Sequence, residues 1–144
     1  MFDFEKLTVY TKSKGFNKKV NTFLSSKKLD RTTNDQLRRA SFSIMLNIAE
    51  GSGRYTKADK RNFYVISRGS TFECVAIIDY LKEINAISEQ EFSLFYSDLD
   101  ELSRMLFSLI KRIVKIVNQH LSNFRYLFES YKRQLLTLLK VLSH

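Results

Sequence analysis

Apolar residues recur every three or four positions along most of this chain, which is the spacing of a buried helix face. The pattern divides into four long segments joined by short polar connections, and no proline interrupts them. Because short connections make neighbouring helices antiparallel, the sequence predicts an all-α, antiparallel, up-and-down four-helix bundle. The four apolar stripes are Val9, Phe16, Val20, Phe23 and Leu24; Leu37, Ala40, Ile44 and Ile48; Phe63, Ile66, Ser70, Cys74, Ile77, Leu81 and Ile84; and Phe92, Phe95, Leu99, Leu102, Leu106, Leu109, Ile113 and Ile116.

Residues that favour helix ends mark where the segments begin. Thr33 followed by Gln36, and Ser88 followed by Glu91, have the spacing of a capping box. They predict the starts of helices two and four. Thr56 is the predicted N-cap of helix three.

Glycine is rare in this chain, so its few positions are informative. Gly51 and Gly53 separate the second and third segments, where a left-handed backbone would end one helix. Asn85 is predicted to do the same after helix three. Gly69 lies inside helix three, which predicts a close approach of a neighbouring helix, with a notch that faces a ligand as the alternative.

The fourth segment is apolar over a wider arc than one bundle core requires. A second apolar line lies beside its main stripe, and helical spacing resumes after a polar interruption near Asn118. We therefore divide the chain into a bundle, residues 1–121, and a C-terminal helical extension, residues 122–144, which either continues helix four or forms a separate helix. The apolar face of the extension needs cover from its own bundle or from a neighbouring subunit. The second line is Ile110, Val114, Val117 and Leu121, and the later positions are Phe124, Leu127, Phe128, Tyr131, Leu135, Leu138 and Leu142.

The charge of the chain is unevenly distributed. The 144 residues carry a formal net charge of +9. Residues 1–70 contain 15 Lys and Arg against 6 Asp and Glu, whereas residues 71–144 contain 9 of each. Because a one-sided basic field attracts polyanions, the sequence predicts binding to RNA or DNA. A solvated face that only confers solubility is the alternative.

Basic side chains of the first half are the predicted nucleic-acid contacts, because Lys and Arg bind phosphates and Arg also stacks on bases. No base-reading motif is recognised, which favours backbone or shape recognition. Four aromatic residues could act as stacking platforms or simply pack in the core: Tyr10, Phe42, Tyr55 and Tyr64. The predicted contacts are Lys12, Lys18, Lys19, Lys27, Lys28, Arg31, Arg38, Arg39, Arg54 and Lys57. Arg54 and Lys57, beside the glycines at the start of helix three, also fit a small anion site, with a tight structural turn as the alternative.

A second polar group, on helices two and three, is predicted to form an interhelical network that fixes helix register. Its members are Asn47, Glu50, Arg68 and Glu73, and Arg39 and Arg68 are the candidate partners of the carboxylates. Catalysis by Glu50 and Glu73 as an acid–base pair is the less favoured alternative, because no histidine, nucleophile or metal ligand lies near either in sequence. The spacing of Arg112 and His120 is too long for the Arg–His motif of HEPN-class nucleases. We expect no enzymatic activity.

The few cysteine and histidine residues bear on disulfide formation and metal binding. The single cysteine, Cys74, cannot form an intrachain disulfide, and His120 and His144 have no other ligands near them in sequence. The acidic N-terminus does not fit a signal peptide, and no apolar run has the length of a membrane span. The sequence therefore predicts a cytoplasmic protein without metal, cofactor or membrane association.

Three short stretches of the sequence resemble a known protein family. They are the block of residues 47–54, NIAEGSGR, residues 4–10, and the tripeptide Arg68, Gly69 and Ser70. Over about residues 4–118 the chain resembles the four-helix-bundle family of 23S ribosomal RNA intervening-sequence proteins. The resemblance implies a protein encoded within bacterial large-subunit ribosomal RNA genes or elsewhere in bacterial genomes, with no established catalytic residues. It also implies a ring-shaped homopentamer with a basic surface. Similar bundles are accessory proteins of diversity-generating retroelements, which bind nucleic acid and a reverse transcriptase.

The long apolar tail departs from the family pattern. We therefore expect a non-enzymatic, self-associating bundle that binds nucleic acid through its basic first half. The alternative is a protein-interaction scaffold, for example a partner of a reverse transcriptase, that uses the apolar surfaces of helix four and the tail.

Overall fold

The protein is a bundle of four α-helices preceded by a short 3-10 helix, Asp3–Lys6. The computed structural model describes the backbone of residues 1–142 and the side chains of residues 1–133. The α-helices are α1, Thr8–Ser26; α2, Arg31–Ser52; α3, Lys57–Glu83; and α4, Glu89–Leu142. The predicted all-α class and four-helix bundle are confirmed. The chain forms two compact units, residues 1–110 and residues 111–144. The predicted boundary between residues 121 and 122 stays a prediction.

Side-chain contacts within residues 1–110 give the order and direction of the helices. In each adjacent pair, contacts that move forward along one helix move backward along the other, which shows antiparallel packing. The α1–α2 contacts are Asn17–Ser41 and Asn21–Arg38, and the α2–α3 contacts are Ser43–Ser70 and Gln36–Glu73. The α3–α4 contacts are Arg68–Phe107 and Lys82–Phe92, and the α1–α4 contacts are Lys12–Glu101 and Lys27–Glu91.

The predicted apolar stripes of α1 and α2 are buried in full, and Phe95, Leu99, Leu102 and Leu106 of α4 are buried with them. The stripe predicted for α3 is partly wrong, since Ile66 and Ile84 are each 51% exposed. The buried face of α3 includes hydroxyl residues instead. Ser67 Oγ donates to the carbonyl oxygen of Ile44 at 2.9 Å, and Thr71 Oγ1 donates to that of Ser67 at 3.0 Å. Because these bonds satisfy the hydroxyls, the core of α3 tolerates polar residues that hydropathy places outside.

Helix ends follow the prediction in two of three cases. Thr56 Oγ1 accepts from the backbone N–H of Asp59, and Ser88 and Glu91 form a reciprocal capping box. The box predicted at Thr33 is wrong. The N-cap of α2 is Asp30, three residues earlier, because Asp30 Oδ1 accepts from the backbone N–H of Thr33 at 3.0 Å. The hydroxyl of Thr33, and then this backbone bond, lower the pKa of Asp30 below its ordinary value.

The glycines act differently from the prediction. Asn85 has a φ of 57°, as expected, but no glycine in the described backbone has a positive φ, and Gly53 caps α2 at a φ of −82°. Gly51 is needed for space, because a Cβ there would lie 2.9 Å from Phe63 Cβ and 2.9 Å from Tyr64 Cε1. A Cβ at Gly69 would meet nothing within 4 Å. The close approach predicted at Gly69 therefore occurs at Gly51.

Three further observations concern the described residues. No helix among them is long and apolar enough to cross a bilayer. No group of three or more His, Cys, Asp or Glu side chains among them is placed to hold a metal ion. Burial raises the pKa of the Cys74 thiol to about 12, which leaves it protonated and unreactive at neutral pH. The side chains of Leu135, Leu138 and Leu142, and His144 as a whole, lie outside the described residues.

Candidate nucleic-acid interface

Three of the predicted nucleic-acid contacts are ion-paired within the bundle. Lys12 pairs with Glu101 at 2.8 Å, Lys19 with Asp98 at 2.7 Å and Lys27 with Glu91 at 2.9 Å. All three pairs join α1 to the acidic side of α4. A phosphate would have to compete with these carboxylates, so the three lysines are poorer contacts than their sequence positions suggest.

The Lys27–Glu91 pair provides a pH prediction. The backbone N–H of Ser88 and then Lys27 lower the pKa of Glu91, because both bonds favour its charged form. A lowered pKa in the folded state means that Glu91 contributes stability above its ordinary pKa of 4.5, and that this contribution disappears as the pH falls through the lower, folded value. We expect Glu91→Gln to reduce the free energy of unfolding at neutral pH, and the difference from wild type to shrink below pH 4.5. Urea unfolding across this pH range measures it, and a constant difference would contradict the assignment.

Four basic side chains of α1 and α2 make no ion pair with α4 in the part of the chain whose side chains are described. We call the group Lys14, Lys18, Arg31 and Arg38 the basic strip. Lys14 and Lys18 are one helical turn apart on α1, and Arg31 and Arg38 are two turns apart on α2. Arg38 links the two helices, since its Nη1 donates to Asn21 Oδ1 at 3.2 Å, one turn beyond Lys18.

The local electrostatics leave the basic strip available to an anion. Within residues 1–133 neither Lys18 nor Arg38 is ion-paired, and Arg38 bonds only the neutral amides of Asn21 and Asn34. Arg31 is 95% exposed and lies 3.7 Å from Asp35. Lys14, which is not among the ten predicted contacts, is 5.7 Å from the centre of the Tyr10 ring. Asn21 and Asn34 add neutral hydrogen-bonding groups between the cations.

The four aromatic candidates divide between surface and interior. Phe42 is 46% exposed, one turn beyond Arg38 on α2, and Tyr55 is fully exposed. Tyr10 packs edge-on against Phe4 at 4.7 Å between ring centres. Tyr64 is only 4% exposed, and burial raises the pKa of its hydroxyl, so it belongs to the core. Phe42 is thus the candidate for stacking beside the basic strip.

The remaining predicted contacts lie elsewhere. Lys28 is exposed between α1 and α2. Arg39 faces the other flank of α2, where it lines a shallow cavity with Gln36, Ser43 and Glu73. The ten predicted residues therefore do not share one face of the bundle.

The turn between α2 and α3 is held by internal contacts. Arg54 pairs with Glu50 and lies 4.4 Å from the centre of the Phe63 ring. Thr56 Oγ1 donates to Asp59 Oδ2 at 2.6 Å, so a carboxylate already occupies the N-terminal end of α3, which Lys57 begins. These contacts are those of a closed structural turn, the alternative to the anion site.

The structure does not bring Asn47, Glu50, Arg68 and Glu73 into one network. Asn47 Nδ2 donates to the Ser43 carbonyl at 2.8 Å, Glu50 pairs with Arg54, and Glu73 accepts from Gln36. Arg68 lies over two rings, 4.5 Å from the centre of Phe72 and 5.4 Å from that of Phe107. Its Nε is buried and has no hydrogen-bond partner in the described part of the chain. Gln36–Glu73 and the hydroxyl pair Ser43–Ser70, at 2.8 Å, are polar links between α2 and α3 in this region.

Counting charge by structural unit reveals basic residues that are absent from the predicted contacts. The neutral second half separates into residues 71–110, with 2 Lys and Arg against 8 Asp and Glu, and residues 111–144, with 7 against 1. The acidic part supplies the partners of the α1 lysines. The basic part forms a second cationic segment, composed of Lys111, Arg112, Lys115, Arg125, Lys132, Arg133 and Lys140. A charge count in shorter windows along the sequence would have found it.

Comparisons with known proteins agree with the fold. A family model described as 23S rRNA-intervening sequence protein matches residues 5–108. A crystal structure of a protein of unknown function from the S23 ribosomal protein family of Bacteroides thetaiotaomicron is similar in fold, with a TM-score of 0.68 and 24% sequence identity. The similarity covers 72% of this chain and 95% of the other. Curated proteins provide no match.

Proposed function

Because the chain belongs to the 23S rRNA-intervening sequence protein family, we propose that it is a cytoplasmic, non-enzymatic, self-associating bundle that binds RNA through the basic strip of α1 and α2. The observation that carries the proposal is the separation of the cations into two classes. Those on the α4 side are neutralised by carboxylates, whereas Lys18 has no ion pair within residues 1–133 and Arg38 bonds the neutral amides of Asn21 and Asn34.

The geometry favours recognition of the phosphate backbone. The strip follows two antiparallel helices, and Lys14 and Lys18 are about 6 Å apart along the α1 axis. Cations in such a row can contact successive phosphates of one strand without reading bases. Phe42 offers a ring on which an unpaired base can stack. Backbone contacts of this kind bind DNA as well as RNA, so the proposal extends to both.

Binding to a large-subunit ribosomal RNA fragment, and to an unrelated RNA of equal length, tests the proposal across a salt titration. We expect log K to fall linearly with log salt concentration, because each phosphate contact releases counterions. The double variant Lys18→Ala/Arg38→Ala removes two contacts, so we expect it to weaken binding about tenfold and to flatten the slope by about 2. A difference between the two RNAs would add specificity to backbone binding.

The double variant Lys12→Ala/Lys19→Ala is the matched control, since it removes the same formal charge from the same half of the sequence. Its lysines are already paired with Glu101 and Asp98, so we expect a clearly smaller loss of affinity. Equal losses in both variants would assign binding to overall charge rather than to the strip. Failure of the wild-type protein to bind either RNA at low salt would refute the proposed function.

A protein-interaction scaffold is the second candidate function. It is favoured by apolar side chains that remain exposed on α4, where Leu94 is 68% exposed and Phe107 is 51% exposed. Contiguous exposed apolar surface is typical of protein interfaces. An accessory subunit of a reverse transcriptase would be one such scaffold. Retention of a protein partner by a chain that binds no RNA would favour this candidate.

A further inference from the structure

The second compact unit exposes an apolar helix face with an unbroken heptad spacing. Within the described side chains, six apolar residues alternate in steps of three and four, and we call them the heptad face. Four of them are strongly exposed, from 59% at Phe128 to 72% at Tyr131. The sequence continues the same steps at Leu135, Leu138 and Leu142. The heptad face consists of Val114, Val117, Leu121, Phe124, Phe128 and Tyr131.

We propose that this part of α4 is a parallel coiled-coil segment through which copies of the chain associate. The inference deepens the self-association in the proposed function, and rests on it, by naming the surface and the partner. A period of 3.5 residues sustained over four heptads keeps a seam facing a partner helix along its whole length. A helix that only lies on a lipid surface needs a broad apolar arc and no such register. The regularity of the steps therefore favours a second helix as the occupant.

The flanking positions explain why the partner is another copy in parallel orientation. With Val114, Leu121 and Phe128 at a positions, the e positions include three cations, Lys111, Arg125 and Lys132. The g positions are Ile113, which is buried in the single chain, and then His120, Leu127 and Gln134. In a parallel pair, e residues face g residues of the partner, so Arg125 meets His120, and Lys132 meets Leu127 and can cover it with its aliphatic stem. In an antiparallel pair the e positions would face each other and the cations would repel.

The exposed apolar residue at g, Leu127, also bears on the expected number of helices. A seam of a and d alone is typical of a two-stranded coil, whereas apolar residues at a, d and g give a face about three-sevenths of the helix wide. Leu127, at g, is 64% exposed, so this wider face is open in the single chain. We expect more than two copies to associate.

Sedimentation of the full chain, without nucleic acid and at a salt concentration that suppresses RNA binding, tests the proposal. The wild-type mass should be at least about three times the 17.0 kDa of one chain across a concentration series. The double variant Phe124→Gln/Phe128→Gln should lower it at least about twofold, because buried amides without partners destabilise the seam. Tyr126→Gln is the control: Tyr126 is 69% exposed, like Phe124, but lies at the outward f position. It should leave the mass unchanged.

Disulfide trapping tests the orientation. Leu121→Cys places one thiol at an a position, and copies in parallel register should form a covalent dimer on mild oxidation. Native Cys74 is buried and inert, so it does not compete. Asn123→Cys, at the outward c position, should cross-link far less. An assembly of wild-type mass that forms no Leu121→Cys dimer would refute parallel pairing.

Two other outcomes would overturn the proposal. A wild-type chain that is monomeric at every concentration but sediments with phosphatidylserine vesicles would assign the face to an anionic membrane. A double variant that keeps the wild-type mass would place self-association elsewhere. Circular dichroism confirms that the variants keep their helical bundle. RNA binding by the same proteins, measured at low salt, separates the two proposals. A wild-type chain that forms the oligomer but binds no RNA refutes only the proposed RNA binding.

Discussion

Phe95→Ala should destabilise the bundle strongly, lowering the free energy of unfolding by about 3–5 kcal/mol. Phe95 is 8% exposed on α4 and meets two rings of α1 edge-on, Phe16 at 6.1 Å and Phe23 at 5.2 Å between ring centres. Its removal leaves a cavity and loses two aromatic contacts, each worth about 0.5–1.5 kcal/mol beyond burial. Chemical denaturation monitored by helical circular dichroism measures the change in the free energy of unfolding.

Leu94→Ala is the matched control for Phe95→Ala. Leu94 lies next to Phe95 on the same helix and is 68% exposed. Its replacement should change the free energy of unfolding by no more than about 0.5 kcal/mol. A similar loss for both variants would mean that helix propensity, not the α1–α4 core, governs the stability of the bundle. A loss below about 1 kcal/mol for Phe95→Ala would show that the two rings of α1 can close the space.

The bundle core was predictable from sequence wherever burial depends on hydrophobicity alone. The stripes of α1 and α2 consist of Val, Leu, Ile, Phe and Ala and are all buried. The stripe of α3 could not be placed so easily, because Ser67 and Thr71 are fully buried while Ile66 is half exposed. Their hydroxyls are satisfied by carbonyls that only the folded backbone brings within reach. Periodicity identifies the helix itself, but it identifies the inward face only when the polar residues stay outside.

The candidate interface was less predictable, because ion pairs depend on which helices become neighbours. Lys18 and Lys19 are adjacent in sequence, yet Lys19 pairs with Asp98 of α4 while Lys18 has no ion pair within residues 1–133. Arg38 and Arg39 diverge in the same way on α2. A charge count sums all four residues and cannot separate them. The position of each cation around its helix, and the identity of the neighbouring helix on that side, decide which cations remain available to a phosphate.

Gly51→Ala and Gly69→Ala should change stability in opposite directions, although both place a methyl group on a helical glycine. At Gly51 the new Cβ would lie 2.9 Å from Phe63 Cβ, an atom fixed to the α3 backbone that cannot swing aside. Overpacking costs about 1–3 kcal/mol and outweighs the gain of about 1 kcal/mol from helix propensity. We expect Gly51→Ala to lower the free energy of unfolding by up to about 2 kcal/mol.

Gly69→Ala tests the same physics with the opposite result. Gly69 is exposed in the middle of α3 and a Cβ there meets nothing within 4 Å, so only the entropic advantage of alanine over glycine remains. It should raise the free energy of unfolding by about 0.5–1 kcal/mol. Urea unfolding of the two variants in parallel measures the difference. Stabilisation by Gly51→Ala would show that α2 and α3 can separate at this end, and destabilisation by Gly69→Ala would show that α3 meets a neighbour at residue 69 when copies of the chain associate.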